Sequence, residues 1–264
     1  MASNWRPVGL ADFARLHAAR MQAHYATQWL ARTARAYIPP EPDDSHTNLD
    51  WNDSFNGFIT HPFAKDQALG LRLPDLTLAL LKARQTVQSL SLHGHSDAEV
   101  RDWLGVRMRE LKLSPEALDK ALPYELPPHP LAQGGRYDAA LVEPLRELAA
   151  WYANGFHALG GLRKRLVSHG LPAPEVRLWP HHFDLDCLTV IGDGAAYAVP
   201  TMGAGFSSGD HYYDEPYFYL SLYPRPELAA LPKLDPPGHW HTQEFLAAVA
   251  SASAILHDGD DRVP

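Results

Sequence analysis

The amino-acid sequence predicts an α+β fold made of two similar helix–antiparallel-sheet–helix halves. Three observations predict it. A helical stretch with few breakers opens each half of the chain. Several short strand-like runs follow each stretch, close enough together to pair as hairpins, which favours antiparallel sheets. Between the two series lies a stiff connector with four prolines from Pro123 to Pro130. The expected division is residues 1–122, a connector over 123–135, and 136–264. Internal duplication accounts for this order. The alternative is two α+β halves that are alike by coincidence.

The first helix runs from Leu10 to Ile38, rich in Ala and Arg and stopped by Pro39-Pro40. Glu41 to Asp53 is polar and turn-rich. Strands follow at Phe55–Phe63, Leu69–Ala83 and Thr86–Leu92. The Leu76–Leu81 run is equally compatible with a helix, because an unbroken apolar run has no period of its own. Ser96 and Glu99 form a capping box at the start of the next helix. Ser114-Pro115 opens a short one, with Pro at the first helical position.

In the second half, Leu141, Leu145, Leu148, Tyr152, Leu159, Leu162 and Leu166 recur near helical spacing. The helix they define, Leu141–Ser168, ends at Gly170. Strands are expected at Val176–Trp179, Phe183–Ile191, Ala195–Val199 and Tyr217–Tyr223, with a Gly192-Asp193-Gly194 turn. A last helix is expected from Thr242 to His257. In this reading Gly94-His95-Ser96 and Gly238-His239-Trp240-His241-Thr242 each open a helix, which supports duplication.

Composition narrows the function. The chain has 264 residues, 45% of them apolar, and a formal net charge of −8. Phosphate neutralisation needs clustered Lys and Arg, so no nucleic-acid partner is expected. The Arg163-Lys164-Arg165 triplet lies late in a predicted helix, where cations complement the dipole. The lone cysteine, Cys187, makes neither an intramolecular disulfide nor a thiolate zinc cluster, and its apolar strand pattern predicts burial. No stretch reaches the roughly 20 apolar residues of a membrane span. The Met1–Arg6 start lacks a charged-then-apolar leader. A soluble cytoplasmic protein with a small-molecule ligand or substrate is the expectation, with no membrane partner.

Chemistry-bearing side chains concentrate in the last third. His239 and His241 lie two apart, so in an extended segment both rings face one side, about 7 Å apart at the backbone at ~3.3 Å per residue. That spacing suits two imidazoles on one metal ion. His182, Asp184 and Asp186 would share one face of the Phe183–Ile191 strand. A metal site of His182, Asp184, His239 and His241, holding zinc, iron or manganese, is one reading. Asp210 or Glu215 would then be the general base for a bound water. A bland reading has the histidines bonding loop backbone and capping the final helix. A third is a metal-free ligand site.

The windows Asp43–Asn48 and Trp179–Asp184 take equivalent places in the duplicated reading, which brings His46 into the candidate set. Phe206–Glu215 reads as a lid or ligand-gripping loop. Tyr217 and Tyr219 share a strand face, and tyrosines with buried bodies and polar tips line pockets well. Trp179, Phe183, Trp240 and Phe245 are expected to form an apolar floor. His17 and His24, about 10.5 Å apart along a helix, are too far apart for one ion and read as structural. There is no Gly-x-Ser-x-Gly elbow, phosphate loop, dinucleotide fingerprint or His-Glu-x-x-His.

Trp179-Pro180-His181-His182-Phe183-Asp184-Leu185, Gly205-Phe206-Ser207-x-Gly209-Asp210, Glu215-Pro216-Tyr217-Phe218-Tyr219 and His239-Trp240-His241-Thr242 together resemble a family of uncharacterised bacterial proteins, a domain of unknown function. The resemblance covers about the last third. The Asp43–Leu49 segment resembles a subgroup of it. No activity, cofactor or catalytic residue comes with the resemblance, so it implies where a site lies and not its chemistry. The chain departs from the pattern at Asp186, Cys187 and the bulky His211-Tyr212-Tyr213. The expected function is a small-molecule enzyme, a metal-assisted hydrolase, with its cleft in the second half. The alternative is a non-catalytic module in which His46, Trp179, Tyr213, Tyr217, Tyr219 and Trp240 grip a small ligand.

Overall fold

The computed structural model describes residues 5–192 and 199–260. The protein is α+β, with helices and antiparallel strands. Its contacts divide the chain into two compact units. One, here the N-terminal unit, is Ala14–Ala149 with Leu178–Phe183; the C-terminal unit is Met1–Phe13, Ala150–Arg177 and Asp184–Pro264. The Pro-rich segment lies inside the N-terminal unit.

The N-terminal unit is organised around α1 (Phe13–Tyr37), whose side chains are buried at almost every position from Ala19 to Ala34. Its polar members are satisfied locally: Thr27 and Thr33 donate to the carbonyls of Ala23 and Trp29, one turn back. Strands β1 (Leu49–Asn52), β2 (Gly57–Thr60), β3 (Gln67–Arg72), β4 (Thr77–Lys82) and β5 (Gln85–Ser91) pair antiparallel in chain order. Helix α2 (Asp97–Glu110) carries the expected capping box, with Ser96 accepting from the Glu99 amide and Glu99 from the Ser96 amide. Asp97, at its first position, also accepts from Trp29 Nε1 and Tyr137 Oη. Strand β6 (Arg177–Trp179) pairs with β1 through Leu178 and Leu49.

Two expectations change here. Leu69–Ala83 is a hairpin rather than one strand, and the helical alternative for Leu76–Leu81 fails. Leu73-Pro74-Asp75 forms a 3-10 turn, Leu76 adopts a left-handed conformation at φ 44°, and Arg72 pairs with Asp75 across the turn. The ambiguity arose because β3 and β4 are each buried at five successive positions, which erases the alternation of a half-buried strand. Strand β1 lies inside the segment read as turn-rich, since four residues give too short a pattern to stand out beside Asp and Asn.

The C-terminal unit receives α3 (Val142–Ser168), which crosses from one unit to the other at Ala149–Ala150. The bonds Gly170 N–H to Val167 O and Leu171 N–H to Leu166 O close its end as predicted. Strands β7 (Asp184–Val190), β8 (Thr201–Ser207), β9 (Tyr217–Tyr223), β10 (His239–His241) and β11 (Ala247–Ser251) stand in the order β7-β8-β9-β11-β10, all antiparallel. Helix α4 (Ala252–Asp260) ends the described chain. The unit packs α3 on one sheet face: Trp151 stacks on Phe206 at 6.3 Å and Tyr152 meets it edge-on at 5.4 Å. Gly155 admits that ring, because an added Cβ would lie 2.8 Å from Phe206 Cγ.

Three further expectations are corrected. The last helix starts at Ala252, not Thr242; His239–His241 is an edge strand, and Ala247–Ser251 pairs with β9 instead of coiling. An Ala-rich run suits either state, and the partner strand decides. His239 and His241 therefore do not cap a helix. Phe183 is not a strand residue: it sits at φ 57°, its amide bonded to Trp179 O, and β7 begins one residue later. His182 likewise precedes the strand, so it does not share a strand face with Asp184. Strand β8 was missed because Gly203, Ala204 and Gly205 dilute its β signal. The turn and strand expected over 193–198 lie outside the described residues. Among the described residues no helix is long and apolar enough to cross a membrane.

Candidate functional site

Alternation along β7, β8, β9 and β11 gives the C-terminal unit two distinct faces. Leu185, Cys187, Ala204, Phe206, Phe218, Leu220, Ala248 and Ala250 point to the α3 side, as the strand registers require. Asp184, Ser207, Tyr217 and Tyr219 point to the other. There Tyr219 donates its hydroxyl to Asp184 Oδ2 at 2.8 Å. The ring reaches across β8 over Gly205; a Cβ at that position would run into the Tyr219 ring. Gly205 is thus required by the close approach of an aromatic ring.

Asp184 is buried, and its Oδ1 has no hydrogen-bond partner. Burial raises its carboxyl to about pKa 6, with nearby Asp210 adding to the rise and the Tyr219 hydroxyl opposing it. Asp210 is held differently. Its Oδ1 accepts from the amides of Tyr212 and Tyr213 at 2.8 and 3.3 Å, and its Oδ2 from the Tyr217 hydroxyl at 2.6 Å. Burial and the Asp210 charge push the Tyr217 phenol well up. Glu215 caps α4: its oxygens accept from the Ser253 amide at 2.5 Å and the Ser253 hydroxyl at 2.8 Å.

At the edge of the same face, His239 and His241 do lie on one side of β10, opposite Val249 and Ala247. The Tyr213 hydroxyl stands between them, 2.9 Å from His239 Nε2 and 3.0 Å from His241 Nδ1. His241 Nε2 donates to Gln243 O at 2.6 Å. That bond leaves Nδ1 as an acceptor, so Tyr213 donates to His241 and accepts from His239. Phe245 stacks on His241 at 4.2 Å, and Tyr212 meets it edge-on at 5.5 Å.

On the α3 side a cavity of about 310 Å³ opens between helix and sheet. Ala158, Leu159 and Leu162 of α3 form one wall and Leu220, Ala248 and Ala250 the other. Leu234, Asp235 and Gly238 close one end, with Asp235 as the charged group. Small side chains at facing positions create the space. Trp240, on the face opposite His239 and His241, donates Nε1–H to Pro232 O at 2.8 Å.

The remaining predicted residues belong to the N-terminal unit. Phe183 is buried there, stacked on His24 at 5.1 Å and edge-on to Phe58 at 6.0 Å. His24 Nε2 meets Pro180 O at 3.0 Å; burial lowers His24 to about pKa 4, so the neutral ring donates. His182 packs against His181 at 4.1 Å, and Trp179 meets His181 edge-on at 6.1 Å. Burial and the neighbouring His182 lower His181 to about pKa 4. His46 accepts from the Glu41 amide at 3.1 Å, which closes the Glu41–Thr47 turn.

Among the described residues no three His, Cys, Asp or Glu side chains come together so as to hold a metal ion. Cys187 is buried, its thiol raised by burial, consistent with an inert core residue. Sequence reasoning missed the cavity and the Asp184–Tyr219 bond. The only signal for them was the small-residue run Gly203-Ala204-Gly205 opposite Tyr219. Comparison of the chain with family models, curated proteins and solved structures finds no match.

Proposed function

We propose that the C-terminal unit binds a small, largely apolar molecule in the cavity between α3 and the sheet. One observation carries this reading: a space of about 310 Å³, walled mostly by apolar residues, with the exposed Asp235 among those that line it. That volume is at the lower end of the roughly 300–1,000 Å³ of small-molecule sites, and an apolar wall with few polar groups is their usual lining. A compact ring or branched chain carrying one amine or hydroxyl, directed at Asp235, fits this chemistry. The test is a thermal-shift screen of small amines and alcohols, repeated on Ala248→Leu, which fills the space. Hits that survive unchanged in Ala248→Leu refute the cavity as the site.

A second reading, a small-molecule enzyme working by acid–base chemistry, is favoured by Asp184. A carboxyl near pKa 6, with one oxygen held by Tyr219 and the other unpartnered, has the properties of a general base at neutral pH. Asp184 faces away from the cavity, so turnover of a hit that still binds Ala248→Leu, lost in Asp184→Asn with binding retained, would establish this second reading. Duplication belongs to the same set of proposals. Its support is that a helix, five strands and a helix follow one another as α1, β1–β5 and α2, and again as α3, β7–β11 and α4 with β6 interposed after α3.

A further inference from the structure

We propose that Tyr213 Oη, His239 Nε2 and His241 Nδ1 form a three-donor site for a divalent transition-metal ion such as zinc or copper. The site is independent of the cavity, since His239 and His241 face away from the side on which Ala248 and Ala250 lie.

Four features converge on it. Both imidazole nitrogens converge on one oxygen, 2.9 and 3.0 Å from it, so the three donors need to open by only a few tenths of an ångström to the ~3.3 Å spacing that bonds of about 2.0–2.1 Å to one tetrahedral ion require. His241 donates its other ring N–H to a backbone carbonyl, Gln243 O, the arrangement that fixes the tautomer of metal-ligating histidines. The donors are held from behind. Phe245 stacks on His241, Tyr217 packs on Tyr213 at 4.8 Å, and Asp210 clamps the Tyr213 peptide through its amide and Oδ1. Finally, Asp210 and Glu215 set a negative field at Tyr213, which favours a cation, while burial first and that field second hold the phenol of the free site protonated.

Binding releases the hydroxyl proton of Tyr213 to solvent and moves the His239 proton from Nε2 to Nδ1 by exchange with solvent, so the donor set becomes two neutral imidazoles and one phenolate. His239 is exposed on an edge strand, so the remaining coordination positions face water. Imidazole suits zinc, copper and nickel, with copper bound most tightly in the divalent series.

The experiment is calorimetric titration of the chelator-treated full chain with zinc, followed by copper(II) titration read by visible absorption. One zinc per chain is expected. His239→Ala and His241→Ala should each weaken binding at least tenfold, and His169→Ala, an exposed histidine of the same unit, should not. Copper(II) should give a phenolate-to-copper charge-transfer band that Tyr213→Phe removes. His239 is exposed, so its variant should melt as the wild type does, which separates lost binding from lost folding. No zinc uptake, or equal uptake by both histidine variants and the wild type, overturns the proposal. A wild-type copper complex without the band overturns the role of Tyr213.

Discussion

Asp184→Asn should stabilise the protein at neutral pH and do so in a pH-dependent way. In the folded protein the carboxyl titrates near 6, against an ordinary value of 3.8, chiefly because it is buried. The sign follows from proton counting. Between about pH 4 and 6 the folded state holds a proton that the unfolded chain has released, so stability falls as pH rises through that window. Above pH 6 the full penalty for a buried charge remains. The interval of roughly two pH units, at about 1.36 kcal/mol each, gives about 3 kcal/mol. The variant has no such charge. The difference in melting temperature between Asp184→Asn and wild type should therefore grow by about 6–12 °C from pH 4 to pH 8, at about 2–4 °C per kcal/mol. Differential scanning calorimetry across that range measures it. Comparison with the variant matters because His24 titrates in the same window with the opposite slope. A variant-minus-wild-type difference that stays flat from pH 4 to 8 refutes the buried-charge argument.

Phe183→Ala should lower stability by about 3–5 kcal/mol, seen as an early urea midpoint, because the ring is buried between His24 and Phe58. Gly205→Ala should destabilise strongly and abolish the Asp184–Tyr219 bond, since the new methyl occupies the path of the Tyr219 ring; tyrosine hydroxyl exchange by NMR reads the lost bond. His24 is held neutral by burial at about pKa 4, so the folded state resists a proton the unfolded chain takes up below 6.5. Stability should fall by about 3 kcal/mol as pH drops from 6.5 through 4, and His24→Gln should flatten that acid limb in chemical-denaturation titrations.

Much of the architecture could be read locally. Ser96 and Glu99 announce α2, Pro39-Pro40 stops α1, and Gly170 stops α3, because caps and breakers act within one helical turn. The i, i+2 spacing of His239 and His241 placed both rings on one side of an extended segment whatever its partner. The clusters in the last third marked where polar and aromatic side chains gather, and Asp184, Asp210, Tyr213, Tyr217, Tyr219, His239 and His241 indeed share one unit.

Their partners were not legible. Glu215 reads as a candidate base until Ser253, 38 residues away, takes both its oxygens to cap α4. His182 and Asp184 look like neighbours on a strand until the left-handed turn at Phe183 puts one before the strand and one in it. Ala247–Ser251 suits a helix until β9 and β10 flank it. The sequence by itself determined the stops of α1 and α3, the start of α2, the antiparallel character, the buried cysteine and the place of the polar clusters, because each depends on residues a few positions apart. Only the tertiary structure decided the Tyr219–Asp184 bond, the convergence of two histidines on Tyr213, and the cavity under α3. Each of these depends on registers between strands and on how small residues on separate elements face one another, and no local periodicity encodes a distance between them.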